Sequence, residues 1–253
     1  MFEPPGENKS LFKSLDPRFR VAAAIICSMA FACLYHTQAA LLALLLALLT
    51  FILSRLPLAA LLKRLLVVNL FMLFLWLIVP LSMPGEEIWR WGLFVASRQG
   101  ISMALMATIK SNAIVISFIS LLYGLSPDML AQALRGLGLP AKLVFLILST
   151  CRYLSAINEE WKRLQAAARL RGFVPQSNIH SYRTIAYLFG LLLIRSFDRA
   201  ERIHEAMLLR GFSGYLPSMA VYRAGLRDLF FSLLIITAMC AVIIVEIGGI
   251  RLV

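Results

Sequence analysis

The chain has 253 residues, of which 60% are hydrophobic and only 15% charged, and its mean hydropathy is +0.83. That composition excludes an ordinary soluble domain and indicates an all-α, polytopic integral membrane protein. A net charge of +12 would suggest nucleic acid in a soluble protein, but the basic residues here lie mostly between apolar spans, as in cytoplasmic loops under the positive-inside rule, so no nucleic-acid partner is expected.

Residues 1–20 are polar and basic, with Lys9, Lys13, Arg18 and Arg20. Asp16 followed by Pro17 reads as a helix start, with the carboxylate at the N-cap and proline at the first helical position. Ordinary capping accounts for these residue types. No cleavable leader is expected, because this stretch is polar and carries proline. The first span is expected at about Val21–Tyr35 and the second at about Ala39–Leu53, joined by a tight outer turn at His36-Thr37-Gln38. Both are short against the ~20 residues a spanning helix needs. Arg55, Lys63 and Arg64, with Pro57, suggest a basic inner loop. The third span is about Leu65–Leu81, contains Trp76 and exits at Pro80 and Pro84.

Ser82–Gln99 reads as an outer loop, with Glu86 and Glu87 and with Trp89 and Trp91 at the membrane interface. The fourth span, about Ile101–Tyr123, encloses Lys110, Ser111 and Asn112. A lysine inside a span is a functional candidate by default; the alternative is that Lys110 faces protein or water and satisfies a packing contact. Gly124–Arg227 then holds more than half of the lysines and arginines, yet is rich in leucine and alanine at helical spacing. A short helix is expected within Ser126–Pro140, started by Ser126 and Asp128 and ended by Gly136 to Pro140. Leu143–Leu154 and Ile185–Ile194 are apolar but shorter than a span needs. They read as stems of long helices with charged tips in the cytoplasm, or as short or re-entrant membrane segments. The last span is about Leu229–Ile247, followed by a tail with Arg251. The expected organisation is a membrane part over 1–123 with four transmembrane helices, a cytoplasmic coupling-helix region over 124–227, and a C-terminal transmembrane helix over 228–253. Five spans with the N-terminus inside put the C-terminus outside.

The most informative feature is an internal repeat. Glu159–Phe173 reads E-E-W-K-R-L-Q-A-A-A-R-L-R-G-F and Asp198–Phe212 reads D-R-A-E-R-I-H-E-A-M-L-L-R-G-F. The copies share Arg163 and Arg202, Ala167 and Ala206, and then Leu-Arg-Gly-Phe at 170–173 and 209–212. Each reads as a helix end. Glu159 and Arg163, like Asp198 and Arg202, are acid-before-base pairs at i,i+4. Gly172 and Gly211 suit the left-handed C′ position, and Pro175 and Pro217 forbid resumption. Arg171 and Arg210 therefore fall in the last turn, with Ala167 and Ala206 one turn back on the same face. A small residue beneath a terminal arginine suits insertion of the tip into a partner's groove. The simpler account is that cations near helix C-termini complement the macrodipole, but two matching copies favour a surface presented twice.

Catalytic and cofactor motifs are missing from the sequence. It has no GxxxxGK[ST], no HExxH and no GxSxG. His36, His180 and His204 lie far apart, and the acids beside His204 read as a charged helix face. Cys27, Cys33, Cys151 and Cys240 form no CxxC pair and are expected as small buried hydrophobes. No catalytic residue, metal site or cofactor is expected.

The two A-x-x-x-R-G helix ends, Ala167–Gly172 and Ala206–Gly211, resemble the paired arginine motifs of energy-coupling-factor (ECF) transporter T components. Leu15-Asp16-Pro17-Arg18 and Ala133–Pro140 (A-L-R-G-L-G-L-P) are also similar to that family, and the R-G-F form of both tips is most similar to its cobalt type, CbiQ. One departure is that the family signature is commonly Ala-Arg-Gly, whereas Leu170 and Leu209 precede the arginines here. The resemblance implies a non-catalytic coupling subunit of a bacterial inner-membrane importer, multi-pass with its N-terminus cytoplasmic. Two cytoplasmic ABC ATPase subunits would each receive one tip, with Arg171 and Arg210 in their grooves. A separate membrane subunit, Co²⁺-binding in the cobalt type, would hold the cargo; nickel or a vitamin are the other cargo classes. The competing readings from the residues are an intramembrane enzyme with Lys110 and Asn112 as its polar site, and a scaffold whose basic helices bind anionic lipid of the bilayer.

Overall fold

The structure is a computed structural model that describes residues 15–82, 87–91, 94–212 and 225–250. The basic stretch 1–14 and the positions of Pro84, Glu86, Pro217, Arg223 and Arg251 lie outside the described residues, as do the side chains of Trp89 and Trp91.

Eight helices are described: α1 (Pro17–Ala32), α2 (Thr37–Ser54), α3 (Leu58–Ser82), α4 (Arg98–Leu122), α5 (Pro127–Gly136), α6 (Ala141–Leu170), α7 (Ile179–Leu209) and α8 (Leu226–Ile250). The all-α class holds but for one antiparallel ribbon, β1 (Glu87–Trp91) paired with β2 (Phe94–Ser97), in the loop between α3 and α4. Its tryptophan, isoleucine, valine and phenylalanine content suits extended chain. Ser97 then caps α4, its hydroxyl accepting from the Gly100 N–H at 3.1 Å. The expected start of α1 is observed: the Asp16 carboxylate accepts from the Arg18 N–H at 2.9 Å, and Pro17 is the first helical residue.

Five helices are long and apolar enough to cross a membrane: α2, α3, α4, α6 and the Leu226–Gly248 part of α8. The number agrees with the sequence reading, but the set differs. The helix expected over Val21–Tyr35 ends at Ala32, so its 16 residues span about 24 Å, short of a hydrocarbon core of about 30 Å. In its place α6 qualifies, because the apolar stem Leu143–Leu154 continues without interruption into the charged repeat as one 30-residue helix. The basic loop expected around Arg55, Lys63 and Arg64 is also corrected. Only Arg55 lies in the turn, in a left-handed conformation with φ 50°. Lys63 and Arg64 are on α3, which starts seven residues before the expected Leu65 because Leu58–Arg64 consists of strong helix formers.

The chain forms two compact units, Met1–Ala133 with Tyr222–Val253, and Leu134–Val221. In the first, α4 is the hub, packing on α1, α2 and α3, while α8 closes on α1 and α2. The buried positions are dominated by small residues: Ala23 and Ala24 of α1, Ala39, Ala40, Ala43 and Ala47 of α2, and Ala104 and Ala113 of α4. The large residues of α2 and α3, such as Leu45, Ile52, Leu70, Phe71 and Phe74, face outward. This pattern belongs to helices solvated by lipid, where small residues let backbones approach and large apolar side chains meet acyl chains. Gly100 marks the closest approach: a Cβ there would lie 2.7 Å from the Pro80 Cα of α3. Of the four cysteines only Cys27 is buried; Cys33, Cys151 and Cys240 are exposed. For a residue on an apolar helix, an outward position in the bilayer is as apolar as a core.

Three chain segments meet at a polar node in this unit. The Asp228 carboxylate accepts from the Asp16 N–H and from the Gly225 N–H, each at 2.8 Å. Arg20, 3% exposed, donates through Nε to the Leu121 carbonyl at 2.9 Å and through a terminal nitrogen to the Tyr123 carbonyl at 2.6 Å. A guanidinium thus closes the C-terminal end of α4, where unpaired carbonyls and the helix dipole both favour a cation. Arg20→Met is expected to destabilise the detergent-solubilised chain by about 2 kcal/mol, the scale for leaving buried carbonyls without their donor. Exposed Arg18→Met should be nearly silent. Thermal loss of monodispersity in size-exclusion chromatography, compared across the two variants, checks this.

Candidate functional site: two arginine-tipped helix ends

The second unit is built on α6 and α7. Successive contacts run Phe145 to Phe212, Glu160 to Arg195 and Trp161 to Phe189. The α7 partner number falls as the α6 number rises, so the helices are antiparallel. Asn178 caps α7, its side chain accepting from the Ser181 N–H at 2.8 Å. Between the stems lies a groove of about 400 Å³, apolar along Phe145, Leu154, Ile157, Ile203 and Met207 and polar at Glu160 and Arg195.

Both repeat copies end their helices in the same way. Arg171 and Arg210 are the C-cap residues, with φ,ψ of −88°,13° and −92°,11°. Gly172 and Gly211 follow with φ of 83° and 77°, a region that glycine enters without steric cost. The Gly172 N–H donates to the Arg169 carbonyl at 3.0 Å and the Phe173 N–H to the Ala168 carbonyl at 3.1 Å. In the second copy, the Gly211 N–H donates to the Leu208 carbonyl and the Phe212 N–H to the Met207 carbonyl, each at 3.0 Å. These are Schellman caps. The phenylalanines fold back: Phe212 packs on Phe145 at 5.1 Å between ring centroids, and Phe173 lines a small pocket with Ile185 and Leu188 of α7.

The caps bear on the simpler account of the arginines. Backbone donors already reach the Ala168 and Arg169 carbonyls, and in the second copy those of Met207 and Leu208, so neither arginine side chain is needed at those groups. Arg171 and Arg210 are exposed, and neither guanidinium has a partner among the described residues. Ala167 and Ala206 are exposed as well. The loop that follows Arg171 leads into the start of α7, and Arg210 caps its far end. The 31 residues of α7 span about 46 Å, with the first tip toward the start of that helix and the second at its end. The expected acid–base pairs are corrected. Arg163 pairs with Glu160 at 3.8 Å rather than with Glu159, and Glu160 also binds Arg195. Among the described residues no ion pair joins Asp198 to Arg202. On α6 it is Glu160, one position on from Glu159, that faces α7.

The intramembrane polar residues are not brought together. Lys110 Nζ lies 3.5 Å from the Ala32 carbonyl at the end of α1 and 5.3 Å from the Tyr35 ring centre. Asn112 turns to α3, donating to Asn69 Oδ1 at 3.1 Å. Two positions along a helix point roughly 200° apart, so they cannot form one site. Glu246 of α8, which the sequence reading passed over, accepts from the Tyr35 and His36 N–H groups at 2.7 and 3.2 Å. It holds the chain at the N-cap residue of α2, where His36 makes no side-chain cap bond of its own. A lone glutamate in an apolar span was the available signal. Among the described residues no three His, Cys, Asp or Glu side chains are placed to share a metal ion.

Fold and tips together define a multi-pass membrane protein that presents one helix-end motif twice. Comparison with known proteins then gives the family. Residues 8–222 match the CbiQ family, described as cobalt transport protein, and the chain belongs to that family as a transmembrane T component of the energy-coupling-factor type. It is 25% identical over 157 residues to an energy-coupling factor transporter transmembrane protein EcfT of Acidaminococcus fermentans, covering 55% of this chain and 59% of that protein. An EcfT of Heliobacterium modesticaldum is 27% identical over 210 residues, 79% of each chain. Nickel permease LarQ of Lactiplantibacillus plantarum is 32% identical over 101 residues, covering 40% of this chain and 36% of that protein.

Two predictions follow from this geometry. Gly172→Ala and Gly211→Ala each force an L-residue into the left-handed region and should cost about 1–2 kcal/mol, fraying the last turn. Faster amide hydrogen exchange at 168–173 or 207–212, with the rest of each helix unchanged, is the expected result. Lys110→Met should lower thermal stability and loosen the α1–α2 turn, without creating or abolishing turnover of any lipid or peptide; melting and hydrogen exchange at 32–36 measure it.

Proposed function

We propose that this chain is the coupling subunit of an ATP-driven importer in the bacterial inner membrane, with its N-terminus in the cytoplasm. Two cytoplasmic ABC ATPase subunits each take one helix tip, with Arg171 and Arg210 seated in their grooves. Gly172 and Gly211 end the helices there, and Ala167 and Ala206 give clearance. The coupling region, expected over 124–227, sends ATP-driven motion to a membrane subunit that binds the cargo. The observation that carries this reading is the matched pair of Schellman-capped Leu-Arg-Gly-Phe ends at opposite ends of α7, both with guanidinium groups free to meet a partner. The groove between α6 and α7 supports it, because helices that are not packed along their full length can slide against each other.

Cobalt is the cargo we favour, from the description of the matching family. The likeness to a nickel permease over 101 residues makes nickel the alternative. The cargo site itself belongs to the partner subunit, and this chain has no catalytic role.

The test is co-purification from solubilised membranes of the wild type, Arg171→Glu, Arg210→Glu and the double variant, with ATPase activity and metal uptake measured on the same material. The wild type should bring down a P-loop ATPase. Each reversal should weaken that association about thirtyfold or more, as for an arginine hot spot, and the double variant should lose uptake. Arg→Lys at either position should restore only part, since lysine lacks the planar fork. Absence of any ATPase with the wild type, or full uptake by the double variant, would sink the proposal. Uptake of nickel in place of cobalt would reassign the cargo.

A further inference from the structure

The residue before each arginine carries a second message. Leu170 and Leu209 are both 90% exposed, at equivalent positions of the two copies. Among the described leucines only Leu226, at 88%, is nearly as open, and these two are not part of an apolar stripe. Three, four and seven residues before Leu170 stand Ala167, Ala166 and Arg163; before Leu209 stand Ala206, Glu205 and Arg202. Those are the positions that share a helix face. A face laid on lipid would continue with large apolar residues along the helix. Here each leucine projects beside an unpartnered guanidinium, at the end of a helix whose cap is already closed by its own backbone; behind it on its own face stand alanine and charge, and at the second tip Leu208, 55% exposed, is its neighbour in the chain. Val174 and Ile179 are also exposed near the first tip, so what the described tips have in common is Leu-Arg.

From this we infer that Leu170 and Leu209 are the specificity-determining half of each docking tip: the partner ATPase groove holds an apolar pocket for the leucine next to the acidic surface for the arginine. The inference rests on the coupling reading above and goes beyond it by naming a second contact of different chemistry. The arginine contact is screened by salt; burial of the leucine is not. A groove lacking the pocket would leave the leucine in water or collide with it, so the pair selects among ATPases that would all accept arginine alone.

The experiment uses the full chain in nanodiscs and the ATPase that co-purifies with the wild type, titrated at about 0.1 M and about 1 M salt. Leu170→Ala and Leu209→Ala should each weaken binding about tenfold, and together about a hundredfold, the scale of a buried leucine side chain. That ratio to wild type should be the same at both salt concentrations. Leu→Met at both positions should stay within about threefold of wild type, because volume and polarity are conserved. The effect of Arg171→Glu with Arg210→Glu should shrink at high salt. Since both leucines are exposed, the alanine variants should keep the wild-type melting temperature, which separates a lost contact from a lost fold. If the alanine variants bind within about twofold of wild type while the arginine reversals abolish binding, the inference is overturned and the coupling reading stands. If the wild type binds no ATPase, both fall.

Discussion

A helix leaves four N–H groups and four carbonyls without partners at its ends, and in hydrocarbon each unpaired group costs several kcal/mol. How those ends are closed organises this protein. Asp16 and Ser97 close the starts of α1 and α4 from their own caps. Other ends are closed from a distance: Arg20 reaches the end of α4, Lys110 the end of α1, and Glu246 the start of α2. These three charges therefore serve helix ends on neighbouring helices, which ties α1, α2, α4 and α8 together through polar contacts where hydrophobic packing gives little drive.

The same constraint is met differently in the second unit. Both repeat copies close two carbonyls of their last turn with their own glycine and phenylalanine N–H groups. No side chain is consumed. That leaves Arg171, Arg210, Leu170 and Leu209 projecting with nothing to satisfy inside the chain. The backbone that carries each Leu-Arg pair is already ordered by its cap, and preorganisation of this kind lowers the cost of any contact the pair makes. The phenylalanines work in the opposite direction. By folding back, as Phe212 does onto Phe145, they fix the direction in which each tip leaves its helix.

Packing differs between the units for a related reason. The first is held by alanine-lined helix contacts and a glycine that brings α3 and α4 together. The second rests on one antiparallel helix pair with few buried residues, an Arg195–Glu160 bridge and a groove along its middle. Few buried apolar contacts mean a low cost for local rearrangement.

The helix ends were legible from the sequence because their chemistry is local. Asp-Pro at the start of α1, the Ser126 cap of α5 and the two Arg-Gly-Phe closures each depend on residues a few positions apart, and the repeat announced that one helix-end motif occurs twice. Tertiary structure alone decided the partners of Arg20, Lys110 and Glu246, whose contacts lie 101, 78 and 211 positions away; hydropathy ranks such residues by cost and cannot say which backbone group compensates them. It also decided which five helices are long enough to span. Span length depends on where a helix stops, and α1 stops early at the turn that Lys110 and Glu246 hold, while no Pro or Gly interrupts α6 between its apolar stem and its charged tip.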